Sequence, residues 1–205
     1  MILNNCRKYT RRVLAVKNGT SNSEAPIYNY KDVDGYTGNN SDGSAMYIGS
    51  VAFLSTNITN LTYENIDSRR NNNELLTYAV IGSGTTEATE NDYNLENGIY
   101  NDLVISTTNS KNTEDLKIIT TISNTGDSDI TINEIGLVMR YYQSSYRWNN
   151  TSIMKILLTR TVLPNSIILA AGNTMAIEID LFKDIITIVW GDKKWNNWNI
   201  IFLNQ

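Results

Sequence analysis

The chain has 205 residues, 41% of them hydrophobic, with 17 basic and 21 acidic side chains and a net charge of −4. That length and apolar content suit one packed domain, or one domain with an arm. Histidine is absent and Cys6 is the single cysteine; this excludes Ser-His-Asp and Cys-His nucleophile pairs, an internal disulfide and a cysteine–histidine zinc site, and leaves an enzyme only carboxylate or lysine chemistry.

Residues 1–17 hold Arg7, Lys8, Arg11, Arg12 and Lys17 and no acid. Removing these five leaves twelve bases against twenty-one acids, so the rest of the chain carries −9. A basic arm on an acidic body points to an anionic partner, either an acidic protein surface or nucleic acid. Phosphate-driven binding needs several clustered bases and only the arm has them, so a nucleic-acid role is expected to be minor. Met1–Lys8 has no apolar stretch after its charges, so no signal peptide is expected and assembly in a cytoplasm is. No segment approaches the roughly 18 apolar residues of a membrane span.

Arg12–Val16 reads as a short strand ending at the turn Asn18-Gly19. The arm is taken as residues 1–20 and a single β-sandwich domain as 21–205. Lys31–Gly43 is read as a long polar loop. Its Asp32, Asp34 and Asp42 begin like a calcium loop but lack the downstream bidentate glutamate, which favours a solvated loop. Met46–Leu54 reads as a strand, and Ile58, Leu61 and Ile66 as a short helix or strand. Leu75–Ile81 reads as a buried strand ended by Gly82-Ser-Gly84. That glycine pair lacks the Gly-Lys-Ser/Thr ending of a phosphate loop and is expected to supply positive φ at a turn.

Ile99–Ile105 reads as a strand, and Lys117–Ser123 is rich in β-branched residues that pack on a pleated surface. Ile130–Met139 alternates, slips by one near Glu134 and resumes at Ile135, Leu137 and Met139, which suggests a bulge or close backbone contact beside Gly136. Ile153–Leu158 is apolar. Met175, Ile177, Ile179 and Leu181 give the cleanest period-two pattern. Ile185–Trp190 and Trp198–Leu203 read as a C-terminal hairpin. Strands at roughly ten-residue spacing predict an all-β fold, an antiparallel β-sandwich of jelly-roll or immunoglobulin-like type with an extended N-terminal arm.

Asparagine and threonine make up about a quarter of the chain, and both favour turns and strand edges. Glu114-Asp115 and Glu178/Asp180 are the paired carboxylates. The second pair projects from one strand face about 7 Å apart, a spacing that glycosidase chemistry tolerates, yet two acids on the polar face of an amphipathic strand are expected to be solvated. Two aromatic groups stand out. Tyr141, Tyr142, Tyr146 and Trp148 flank a polar tip read as a subunit contact, and Trp190, Trp195 and Trp198 in the final hairpin are candidates for glycan stacking or core packing.

Four segments in order resemble a β-sandwich module common in structural proteins of tailed bacteriophages. They are Gly82-Ser-Gly-Thr-Thr86 with Asp92 and Leu95, Glu134-Ile-Gly-Leu137, Leu157-Leu-Thr-Arg160 and Ala171–Asp180. The resemblance covers about residues 78–182. It implies a virion component, assembled in a host cytoplasm, with no catalytic chemistry and no cofactor. In it, Asp92 would cap backbone amides and Leu95 would enter the core. The expected role is a capsid-associated auxiliary or decoration protein contacting the major capsid protein or tail proteins, homo-oligomeric in the assembly, with Arg7, Lys8, Arg11 and Arg12 as anchors. A tail adaptor or fibre-attachment protein is the near alternative. A carbohydrate-binding module recognising host glycan is the alternative from another class.

Overall fold

A computed structural model describes residues 29–31, 33, 37–39, 58–62, 76–111, 116–142, 153–180, 185–190 and 199–202. The basic arm, the Met46–Leu54 segment, Asp32, Asp34, Asp42, Tyr146, Trp148, Trp195 and Trp198 lie outside these residues.

The described chain is all β, in antiparallel sheets, as its period-two patterning predicts. A short pair, β1 (Asn29–Lys31) and β2 (Thr37–Asn39), occupies part of the segment read as a loop. The remaining strands are β3 (Ile58–Thr62), β4 (Leu76–Gly82), β5 (Gly98–Ile99), β6 (Leu103–Lys111), β7 (Leu116–Asn124), β8 (Ile130–Tyr142), β9 (Ile153–Leu169), β10 (Thr174–Asp180), β11 (Ile185–Trp190) and β12 (Asn199–Phe202). A six-stranded sheet runs β12-β11-β10-β7-β6-β3 and a four-stranded sheet runs β5-β4-β8-β9. The C-terminal hairpin is present as the antiparallel β11–β12 pair.

The core lies between the two sheets because alternate residues on each turn inward. Ile105, Ile118, Ile122, Met175, Ile177, Ile179, Ile186 and Ile188 come from the larger sheet, and Ala79, Ile81, Ile135, Leu137 and Met139 from the smaller; all are buried in one apolar cluster. Strand β10 reads as sequence periodicity foretold, with Met175, Ile177 and Ile179 inward.

Two polar joints link the sheets. Strand β4 pairs with β5 only at Ile81 and Gly82, which leaves the backbone of Thr77 and Ala79 unpaired on that side. Threonines of the opposite sheet satisfy it: the Ala79 N–H donates to Thr120 Oγ1 at 2.8 Å, and Thr107 Oγ1 donates to the Thr77 carbonyl at 3.2 Å. Both threonines are fully buried, where an unpaired strand edge would be costly. At the other end, buried Asn124 on β7 donates from Nδ2 to the carbonyls of Ser128 and Leu169, the latter on β9.

The expected irregularity beside Gly136 is real but sits on the partner strand. Leu137 pairs with Thr159 and Val138 with Leu157, so Leu158 is the extra residue, on β9. This bulge puts Leu157 and Arg160, three apart in sequence, on the same face, which an unbroken strand cannot do. A second register shift lies between Ile132 and Glu134, where Leu163–Ser166 of β9 make an excursion opposite Asn133. Pro164 falls in this excursion and is exposed, where its missing N–H breaks no ladder bond.

Candidate functional site

The outer face of the four-stranded sheet carries Val80, Gly82, Glu134, Gly136, Leu157 and Arg160, set there by pairings Val80↔Gly136, Gly82↔Glu134 and Gly136↔Arg160. The segment Ser83–Asn97 folds back over this face. It covers β8 at Glu134 and Gly136, and β8 is buried on both faces from Glu134 to Arg140.

Glu134 organises the contact. Its side chain is fully buried, and its two oxygens accept four hydrogen bonds. Oε1 takes the N–H groups of Gly84 (3.2 Å) and Asn97 (2.8 Å). Oε2 takes the N–H of Glu96 (3.2 Å) and Nε of Arg160 (2.7 Å). Four such donors match the acceptor capacity of a carboxylate. Buried charge is tolerated only when paired and hydrogen-bonded in this way.

Arg160, also buried, spreads its guanidinium over three parts of the loop. Nη1 donates to Asp92 Oδ2 at 2.6 Å, and Nη2 donates to the Thr86 carbonyl at 3.0 Å and lies 3.6 Å from Glu96 Oε2. The loop is closed internally by the same acids. Asp92 accepts the Thr89 N–H at 3.0 Å and the Thr89 hydroxyl at 2.7 Å, while Glu96 accepts the Thr86 N–H at 2.8 Å and its hydroxyl at 2.6 Å. Short charge-assisted bonds of this kind are the strong ones.

Burial alone would raise the Asp92 pKa, but hydrogen bonds from Thr89 and Arg160 outweigh it and the net displacement is downward. Hydrogen bonds from the Thr86 side chain and backbone lower Glu96. Burial opposes the charge on Arg160, yet bonds to Asp92 and Glu134 more than compensate and its pKa is raised.

Asp92 and Leu95 take the places expected of them, Asp92 capping the Thr89–Asp92 turn and Leu95 buried in the apolar cluster. The glycine pair does not act as expected. Among the described glycines only Gly172 has positive φ, at 71°. What Gly82 and Gly84 provide is room. A Cβ on Gly82 would lie 2.5 Å from Glu134 Oε1, and one on Gly84 would lie 2.6 Å from it. Gly136 is required for the same reason, with a Cβ falling 2.7 Å from Leu157 and 3.0 Å from Leu95.

The other candidate residues divide differently. Tyr141 and Tyr142 end β8 and Trp190 ends β11. Glu178 forms an ion pair with Lys117 at 2.8 Å. Asp180 is buried rather than solvated, so the two acids do not share an open polar face. Among the described residues no group of three or more His, Cys, Asp or Glu side chains could hold a metal ion, and no helix is long and apolar enough to cross a membrane. Residue reading had not singled out Glu134 or Arg160 as a buried pair. The signal was their place in Glu134-Ile-Gly-Leu137 and Leu157-Leu-Thr-Arg160. No protein family, curated protein or solved structure matches this chain.

Proposed function

We propose that this chain is a non-enzymatic structural component of a tailed-phage virion, a capsid-associated auxiliary protein that stabilises the shell through subunit contacts. One observation carries the reading. Three of the four segments that resemble the phage module converge on a single clamp, with Asp92 and Leu95 from the first, Glu134 and Gly136 from the second, Leu157 and Arg160 from the third. The lone pairs of Glu134 and the donors of Arg160 are engaged in holding Ser83–Asn97 onto the sheet. Their employment is architectural.

A loop held this firmly serves adhesion. Its exposed Thr85, Thr86, Glu87, Glu90 and Asn91 are presented without the ordering cost that weakens contacts made by mobile segments. In this reading Arg7, Lys8, Arg11 and Arg12 anchor the subunit to an acidic neighbour.

Protein identification on purified heads and tails, separated from one another, tests the proposal. The expected result is the chain in heads, in many copies. Recovery with tails would move it to the adaptor alternative, and absence from both would overturn it. Deleting residues 1–12 should leave the sandwich folded and abolish incorporation; unchanged incorporation would remove the arm from the account.

A further inference from the structure

The clamp closes on a chemically fragile dipeptide, Asn97-Gly98. A Cβ on Gly98 would meet the Tyr100 phenol, which would have to move aside. Tyr100 is itself tied to Asn94 by a 3.2 Å hydrogen bond. Asn97 is exposed, and among the described residues its side-chain amide has no hydrogen-bond partner, its contacts being those of its backbone. An asparagine followed by glycine is the arrangement in which the next backbone nitrogen most readily reaches the side-chain carbonyl, since no Cβ obstructs the approach.

We propose that Asn97 is a self-modification site, a latent succinimide-forming amide whose rate the Glu134–Arg160–Asp92 clamp controls. The Gly98 nitrogen attacks Asn97 Cγ. A bond forms between them, the Cγ–Nδ2 bond breaks, and the Gly98 amide proton leaves with the side-chain nitrogen as ammonia. Water then opens the ring. Cleavage at Cγ gives aspartate, and cleavage at the α-carbonyl gives isoaspartate, with one water consumed and one ammonia released overall.

The approach needs freedom of the Asn97–Gly98 backbone, and the fold holds that backbone from both sides. The Asn97 N–H is held by Glu134 Oε1 at 2.8 Å, and its carbonyl accepts the Ser83 N–H at 2.9 Å. Gly98 is paired with Gly82 in the β4–β5 ladder. Modification therefore proceeds through the opened loop, at a rate scaled by how often the loop opens. Once made, the change opposes re-closure of the loop. Either product adds a negative charge to a segment whose backbone already leans on Glu134, and isoaspartate lengthens the backbone between Asn97 and Gly98, which breaks the register with Gly82.

Peptide mass spectrometry at Asn97 over time, in mildly alkaline buffer, tests this on the full chain. Wild-type protein should convert at least about tenfold more slowly when folded than in urea. Glu134→Gln should raise the folded rate at least about tenfold. Asp92→Asn, which leaves Glu134 in place, should raise it by a smaller factor and serves if the first variant does not fold. Faster conversion in a variant that retains its β-sheet circular dichroism supports the proposal. Equal rates in folded and urea-treated wild type, or folded variants as slow as wild type, overturn it.

Discussion

The two faces of β8 are buried by opposite means. Toward the six-stranded sheet it presents Ile135, Leu137 and Met139, all fully buried among aliphatic neighbours. Toward the 83–97 loop it presents Glu134 and Gly136, equally buried. The first face is stabilised by removing apolar area from water, an interaction without direction that tolerates small changes of shape. The second depends on a few directional bonds around buried charge, where the loss of one partner leaves another uncompensated. Equal burial therefore conceals unequal tolerance.

The sharpest way to break the comparison is Arg160→Met. It strands the Glu134 carboxylate in the interior and should cost about 3–5 kcal/mol in urea-induced unfolding. Next comes Gly136→Val, whose side chain has no space beside Leu157, Leu95 and Val80; about 2–3 kcal/mol should be lost, read as a lower Tm. On the inner face Ile135→Val should cost only about 1 kcal/mol by the same measurement. If it costs more than Gly136→Val, the faces do not differ as described. Smallest is Glu178→Gln, which removes the half-exposed pair with Lys117 and should shift stability by at most about 0.5 kcal/mol.

Acid offers a graded probe of the outer face. Asp92 and Glu96 hold protons less tightly in the fold than their ordinary values of 3.8 and 4.5. The folded loop thus binds fewer protons than the open one and is stabilised above that range. This stabilisation should be lost as pH falls below those ordinary values and through the lowered ones. Cleavage within residues 85–94 by an acid-active protease should rise over that interval, and Asp92→Asn should flatten the rise.

Local pattern made much of the fold legible. Strand β10 was readable because period two is written in adjacent residues, and β7 because Ile118 and Ile122 recur among β-branched neighbours. The full length of β9 was not, since Arg160 and Pro164–Ser166 interrupt its apolar run until β8 lies beside them. The clamp was legible only as a resemblance. Arg160 is buried because Glu134 lies diagonally across from it on β8, and Glu134 because amides 37 to 50 residues earlier reach it; no window of sequence contains both ends of such a bond. The glycines were noticed for the wrong property, since the demand on Gly82 and Gly84 comes from the close approach of Glu134, Glu96 and Asn97 rather than from a positive φ.

Hydrogen exchange at the amides of Gly84, Glu96 and Asn97 tests the clamp most directly. In wild type these three should be protected to a degree comparable with the amides of β8, and in Arg160→Met they should lose protection together while Ile118 and Ile122 keep theirs. Rapid exchange of the three in the wild-type protein, at the rate of an open loop, would contradict the account.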